Sequence, residues 1–82
     1  PAPGLLTLDH GQTAAQALDM FRRYNSLCRV NLRGRWHYVT ALEPGTAPLP
    51  APECRLAANR WLYGIADGHL RLHVHPIQEE EP

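Results

Sequence analysis

The stretch from Arg60 to His75, RWLYGIADGHLRLHVH, decides the fold because it predicts a β-hairpin with sharply divided faces. Asp67-Gly68 is a dipeptide typical of a two-residue type I′ turn. This turn pairs Ile65 with Leu70, and one face is then uniformly apolar, formed by Trp61, Tyr63, Ile65, Leu70, Leu72 and Val74. The opposite face carries Arg60, Leu62, Gly64 and Ala66 on one strand and His69, Arg71, His73 and His75 on the other. An antiparallel hairpin of this kind buries one face and leaves the other open.

Residues 27–42 predict a second hairpin, whose loop length can be inferred from the faces it produces. A two-residue loop at Arg33-Gly34 would mix polar and apolar side chains on each face. A three-residue loop, Leu32-Arg33-Gly34, with Gly34 left-handed in a bulged type I turn, separates them. We therefore predict the pairs Val30 with Trp36 and Cys28 with Tyr38 on the apolar face, and Arg29 with His37 and Asn31 with Arg35 on the polar face.

A helix is predicted directly after Thr13. Thr13 and Gln16 have the spacing of a capping box, and Asn25 can supply the left-handed stop. An apolar stripe at helical spacing runs along the segment between them, formed by Ala14, Ala17, Leu18, Phe21 and Tyr24. A single helix with such a stripe is expected to pack on a sheet.

Two further segments complete the element order. Residues 5–8, Leu-Leu-Thr-Leu, predict a short first strand. Residues 43–53 contain four prolines, which are excluded from sheet interiors, so this segment is expected to be an extended loop.

The chain is thus predicted to be α+β, with a single helix packed on a curved antiparallel sheet in the order β-α-β-β-β-β. This element order resembles that of cystatin- and monellin-like folds. The Gln-rich first loop and the Pro-Trp second loop of the cystatin inhibitors are absent from the sequence, so the resemblance implies a fold and not protease inhibition.

Size and charge narrow the function classes. The chain has 82 residues and a net charge of zero, which suits one domain over residues 1–78 followed by an acidic tail, 79–82. Residues 1–78 hold eight Arg, no Lys and five acidic residues, a net charge of +3. So small a domain has little room for a deep catalytic cavity, and no apolar run is long enough for a membrane span. We therefore expect a protein that is not an enzyme and does not contact a membrane.

The predicted outward face of the sheet is the candidate binding surface. Both predicted hairpin registers place cationic or imidazole side chains on it, namely Arg29, Arg35, His37, Arg60, His69, Arg71, His73 and His75. No acidic residue is predicted among them, and like charges on neighbouring strands oppose each other unless a partner compensates them. The expected function is a small adaptor, inhibitor or accessory protein that binds an acidic surface of a protein partner.

Three alternatives stay open at this point. Nucleic acid could bind the same face through its phosphates. A homodimer could form through an edge strand. His73 and His75 point to one side of a strand and could supply two zinc ligands, although we expect neither a metal nor a cofactor.

Cys28 and Cys54 are the only cysteines. Two cysteines without a C-x-x-C spacing, in a chain without a recognisable secretory signal, favour reduced thiols and a cytoplasmic protein. One disulfide between them stays an alternative.

Overall fold

The computed structural model of the protein describes residues 6–78, and within this range the α-helix lies where the sequence predicts it. Helix α1 runs from Ala14 to Tyr24. The Thr13 hydroxyl accepts the Gln16 N–H at 3.2 Å, and the Gln16 side chain accepts the Thr13 N–H at 2.9 Å. Asn25 ends the helix with a φ of 49°. The predicted capping box and left-handed stop are both confirmed.

Five β-strands follow the helix and form one antiparallel sheet. They are β1 (Arg29–Leu32), β2 (Arg35–Gly45), β3 (Glu53–Ala57), β4 (Arg60–Ile65) and β5 (Gly68–Pro76). Their spatial order is β1-β2-β5-β4-β3, and the sheet curls into a half-barrel. The predicted α+β class, a single helix packed on a curved antiparallel sheet, is confirmed. We call the face that packs against α1 the inner face and the opposite one the outer face.

The core lies between α1 and the inner face. It is built from Leu8, Ala17, Met20, Cys28, Val30, Leu32, Val39, Trp61, Tyr63, Leu70, Leu72 and Val74. Each large apolar side chain that is fully buried contributes roughly 1.5–3 kcal/mol. Met20 is buried although the predicted stripe omits it, and it lies on the same side of α1 as the buried Ala17, three residues earlier.

The hairpin of β4 and β5 has the predicted faces but not the predicted register. Ile65 pairs with Gly68, so the turn is Ala66-Asp67 and the predicted Asp67-Gly68 turn is wrong. The predicted pair Ile65 with Leu70 is wrong by two residues. A shift of two preserves the faces, because side chains alternate with a period of two along a strand. The turn is held from outside the hairpin, since the Asp67 carboxylate accepts the Ala14 N–H at 2.8 Å at the start of α1.

The hairpin of β1 and β2 contradicts the prediction more seriously. Arg33 and Gly34 alone form the turn, with φ values of 53° and 85°, and Val30 pairs with His37. The predicted three-residue loop is therefore wrong. Two successive positive φ angles are typical of a type I′ turn, whose twist matches that of the strands.

This shift by one residue reverses the faces of β2. Trp36 and Tyr38 lie on the outer face, whereas Arg35 and His37 lie on the inner face. The predicted pairs of Val30 with Trp36 and Cys28 with Tyr38 are wrong, as are those of Arg29 with His37 and Asn31 with Arg35. A β-bulge at Thr40 then restores the apolar pattern, so that Val39 and Leu42 both face inward.

The two irregular segments also differ from their predictions. Thr7 forms a single parallel bridge to Arg29 in place of a first strand, and Leu5 lies outside the described residues. The predicted loop 43–53 shortens to residues 46–52, because β2 continues to Gly45 and β3 begins at Glu53. Pro44 is tolerated because it stands beyond the reach of β1, where β2 has a free side. The acidic tail at 79–82 lies outside the described residues.

Candidate functional site

The outer face of the sheet is not covered by α1, and its side chains stand in rows that run across the strands. Tyr38 of β2 stands between Arg29 and His75, and His73 of β5 stands between Ala41 and Arg60. A third row joins Glu43, Arg71 and Leu62, and a fourth joins Gly45, His69 and Gly64. Because paired residues point to the same side of a sheet, six of the eight predicted site residues share this face. These are Arg29, Arg60, His69, Arg71, His73 and His75.

Arg35 and His37 do not belong to this surface. They lie on the inner face, and His37 is buried with 6% of its surface exposed. Its Nδ1–H donates to the Arg35 carbonyl at 3.0 Å. The one-residue change in the hairpin register moved both residues, so their predicted place on the outer face is wrong.

His69 is on the outer face but is already engaged by the chain. Its Nδ1–H donates to the Ala47 carbonyl at 2.7 Å, and its ring lies against Gly45, where a Cβ atom would collide with it. The loop 46–52 thus covers this end of the face. His69 holds the loop in place and is less open to a partner than His73 or His75.

Two aromatic side chains that the sequence analysis predicted to lie in the core are instead on the outer face. Trp36 is 36% exposed and Tyr38 is 38% exposed, next to each other along β2. The Arg29 guanidinium lies over the Trp36 ring, 5.5 Å from its centre. Such a cation–π contact fixes both side chains at the surface. The signal for this arrangement was in the sequence, because Arg33-Gly34 can itself form a two-residue turn.

The outer face is not purely cationic. Glu43 stands opposite Arg71, so the prediction that no acidic residue lies among the cationic side chains is wrong. Within residues 6–78 the ion pairs are His10 with Glu53 and Arg23 with Asp19, and neither involves the arginines of this face. The guanidinium groups of Arg60 and Arg71 are therefore available to an outside carboxylate or phosphate.

The two cysteines are separate thiols in the structure. Cys28 is buried and points to the Met20 carbonyl at 3.6 Å, and burial raises the pKa of its thiol. Cys54 is half-buried at the outer face, where it pairs with Leu62 across β3 and β4. In the part of the chain that the structure describes, no group of three or more His, Cys, Asp or Glu side chains is placed to hold a metal ion.

Comparisons with known proteins identify no relative. No protein family matches the chain, and neither the curated proteins nor the solved structures include a significant match. Across residues 6–78, no helix has the length and apolar character needed to cross a membrane.

Proposed function

We propose that this protein is a small binding module whose outer face recognises an acidic surface on a protein partner. The observation that carries the proposal is the combination of Trp36 and Tyr38, both partly exposed, with unpaired arginines on one uncovered sheet face. Trp, Tyr and Arg are the residue types most enriched among the energetically dominant positions of protein interfaces.

Each residue type on the outer face has a separate role in binding the partner. Arg60 and Arg71 can form two parallel hydrogen bonds each to carboxylates of the partner. Trp36 and Tyr38 supply rigid apolar area whose burial adds affinity at small entropic cost. Glu43 beside Arg71 adds a position where a partner cation is favoured, which fixes the orientation of docking.

The proposal assigns binding and not catalysis to this surface. Its side chains stand on a regular sheet of paired strands, an arrangement that presents a broad contact area. We place the protein in the cytoplasm, and the separate thiols of Cys28 and Cys54 support a reducing compartment.

The test compares two double variants that remove the same charge. Arg60→Gln with Arg71→Gln changes the outer face, and Arg22→Gln with Arg23→Gln changes the exposed side of α1. Proteins captured from cells by the wild type are identified, produced in pure form and titrated against all three proteins. The outer-face variant should bind about 100-fold more weakly, since each charge-assisted hydrogen bond contributes roughly 1.5–3 kcal/mol. Equal affinities for the two variants would exclude the outer face.

Single-stranded nucleic acid is the second candidate, and the outward position of Trp36 and Tyr38 favours it. Bases stack on exposed aromatic rings beside arginines. We rank a protein partner above nucleic acid because the Arg29 guanidinium already covers the Trp36 ring, and a base would have to displace Arg29 in order to stack there. Titration of a labelled oligonucleotide at several salt concentrations separates the two candidates. Binding that weakens steeply as the salt concentration rises, and that is lost in the double variant Trp36→Ala with Tyr38→Ala, would favour nucleic acid.

A homodimer through an edge strand stays a prediction, and two observations support β3 over β1 as the edge that would pair. Thr7 and Leu8 already bond to Arg29 of β1, the other edge. β3 exposes Leu56, with 51% of its surface accessible. Sedimentation equilibrium of the wild type and of Leu56→Lys tests this, and a monomer at all concentrations would exclude it.

A further inference from the structure

A second cationic site lies on the inner face, away from the outer face on which the proposed function rests. Helix α1 covers only part of the curled sheet, and a cavity of about 280 Å³ stays open beyond it. The side chains that matter to its chemistry are Arg33, Arg35, His37, Arg55, Asn59 and Trp61. They come from the β1–β2 turn, from β2, and from the hairpin of β3 and β4, which are distant in sequence.

The curl of the sheet brings these segments together. The backbone N–H of Arg33, in the β1–β2 turn, donates to the Glu53 carboxylate at the start of β3, at 3.0 Å. The Arg33 guanidinium lies 5.2 Å from the centre of the Trp61 ring. The first contact ties one edge of the half-barrel to the other, and the second ties the β1–β2 turn to β4. Contacts between distant segments therefore form one side of the cavity.

The charges that line the cavity are all of one sign. Three arginines line it and no carboxylate does. Glu53 does not line the cavity, but its carboxylate accepts the Arg33 N–H at 3.0 Å and lies 3.5 Å from His10, so one negative charge stands beside the three arginines. No ion pair of residues 6–78 includes Arg33, Arg35 or Arg55. A cleft lined by charges of one sign concentrates the opposite sign within it.

Further polar groups remain for a ligand. His37 donates its Nδ1–H to the Arg35 carbonyl, so its Nε2, which carries no hydrogen in the neutral ring, can accept a hydrogen bond from a hydroxyl of the organic part of the ligand. Arg55 uses its Nε toward the Ala57 carbonyl, at 3.5 Å, which leaves its terminal nitrogens. The planar guanidinium group of arginine can form two parallel hydrogen bonds to the oxygens of a phosphate or a carboxylate. Three guanidinium groups offer more N–H donors and more positive charge than one carboxylate, with its single negative charge, can satisfy.

The geometry points to a site for the phosphate group of a small phosphate monoester. A phosphate monoester offers three outer oxygens and almost two negative charges, which suits three guanidinium groups. Leu32 and Trp61, both buried, form the floor of the cavity, and the Arg33 guanidinium lies over the Trp61 ring. The volume is at the lower end for ligand sites, so it selects a small molecule over a polymer.

The two tryptophans make the test specific. In a nitrogen-15 NMR spectrum each indole N–H gives its own signal, and Trp61 lines the cavity whereas Trp36 lies on the outer face. The full chain is titrated with glucose 6-phosphate, and with glucose, inorganic phosphate, sulfate and sodium chloride at matched ionic strength. We expect the Trp61 signal to move saturably with glucose 6-phosphate and inorganic phosphate, the ester binding more tightly, while Trp36 stays in place.

Variants then assign the contacts. Arg35→Gln with Arg55→Gln should lower the affinity for glucose 6-phosphate at least about tenfold. Arg22→Gln with Arg23→Gln, on the exposed side of α1, removes the same charge, serves as the matched control and should bind glucose 6-phosphate as tightly as the wild type. Arg35→Lys keeps the charge but loses the planar guanidinium group, so it should weaken binding several-fold even if the double variant fails to fold.

Several results would overturn the assignment. A Trp61 signal that ignores glucose 6-phosphate, or an unchanged affinity in both Arg35 variants, would exclude the site. Equal binding of sulfate and glucose 6-phosphate would show an unselective anion site and refute the monoester. Capture of a protein partner by the outer face is measured separately, so either proposal can fail alone.

Discussion

Alkaline titration of Tyr63 tests the packing of the core around a single buried phenol. Tyr63 is 3% exposed, its hydroxyl donates to the Leu8 carbonyl at 3.5 Å, and its ring stacks on His10. Burial, and then the negative charges of Glu53 and Asp9, raise the pKa of Tyr63 to about 12 from its usual value of 10. The folded protein therefore holds the neutral phenol more strongly than the unfolded chain does.

The sign and size of the effect on stability follow from proton linkage. Below pH 10 Tyr63 is neutral in the folded and in the unfolded chain, and its contribution to the free energy of unfolding is fully present. Between pH 10 and about 12 the unfolded chain loses its proton first, so the free energy of unfolding falls as the pH rises. A difference of two pKa units corresponds to about 2–3 kcal/mol, a large part of the roughly 4–12 kcal/mol expected for a domain of this size.

The composition of the chain makes this experiment unusually clean. The sequence contains no Lys, so no ammonium group titrates in the same window. The free energy of unfolding is measured by urea titration at successive alkaline pH values, for the wild type and for Tyr63→Phe. Subtracting the two curves removes the contributions of the thiols and of the other tyrosines. A pH dependence that survives unchanged in Tyr63→Phe, or tyrosinate absorbance that is complete near pH 10, would refute the reasoning.

Three more predictions concern packing and thiol reactivity. Gly68→Ala should lower the free energy of unfolding by about 1–3 kcal/mol, because φ is 150° and a Cβ atom would collide with the backbone of β2; an unchanged urea midpoint would contradict this. Leu72→Ala should cost about 2–5 kcal/mol because the side chain is fully buried. Leu56→Ala should change stability by less than about 0.5 kcal/mol, and similar losses at both leucines would count against the core described here. Cys54 should react with a thiol reagent in the native state and Cys28 only on unfolding, because Cys28 is fully buried; equal rates would show that the two sites are equally accessible.

Local chemistry was enough to predict the helix and the faces of one hairpin. The capping box of Thr13 and Gln16 and the stop at Asn25 act within one or two turns of chain, so the sequence itself contains them. The faces of β4 and β5 survived an error of two residues in register, since that shift keeps every side chain on its side. The five predicted site residues of this hairpin therefore all stayed on the candidate face.

The segments outside these elements depended on partners that are distant in sequence. β3 forms because Cys54 and its neighbours pair with β4, although the prolines before them indicate only a loop. A strand at the predicted first position would need several paired residues on a neighbouring strand. Only Thr7 pairs there, with Arg29 of β1, so the segment forms a single bridge. The cavity of the inner face was not predicted at all, because the curl that joins Arg33 to Glu53 is a property of the whole sheet.

By itself the sequence determined one helix, its limits, and a hairpin with an apolar and a cationic side. The tertiary structure alone decided the side on which Trp36 and His37 stand, since two- and three-residue turns at Gly34 are both sterically allowed. The physical reason is a contact between segments that are distant in sequence. The Arg33 N–H donates to the Glu53 carboxylate at 3.0 Å, which holds the two-residue turn, and the pairing of Val30 with His37 that this turn produces places His37 and Val39 on the inner face. The larger aromatic rings of β2 are left on the outer face, where Arg29 packs on one of them.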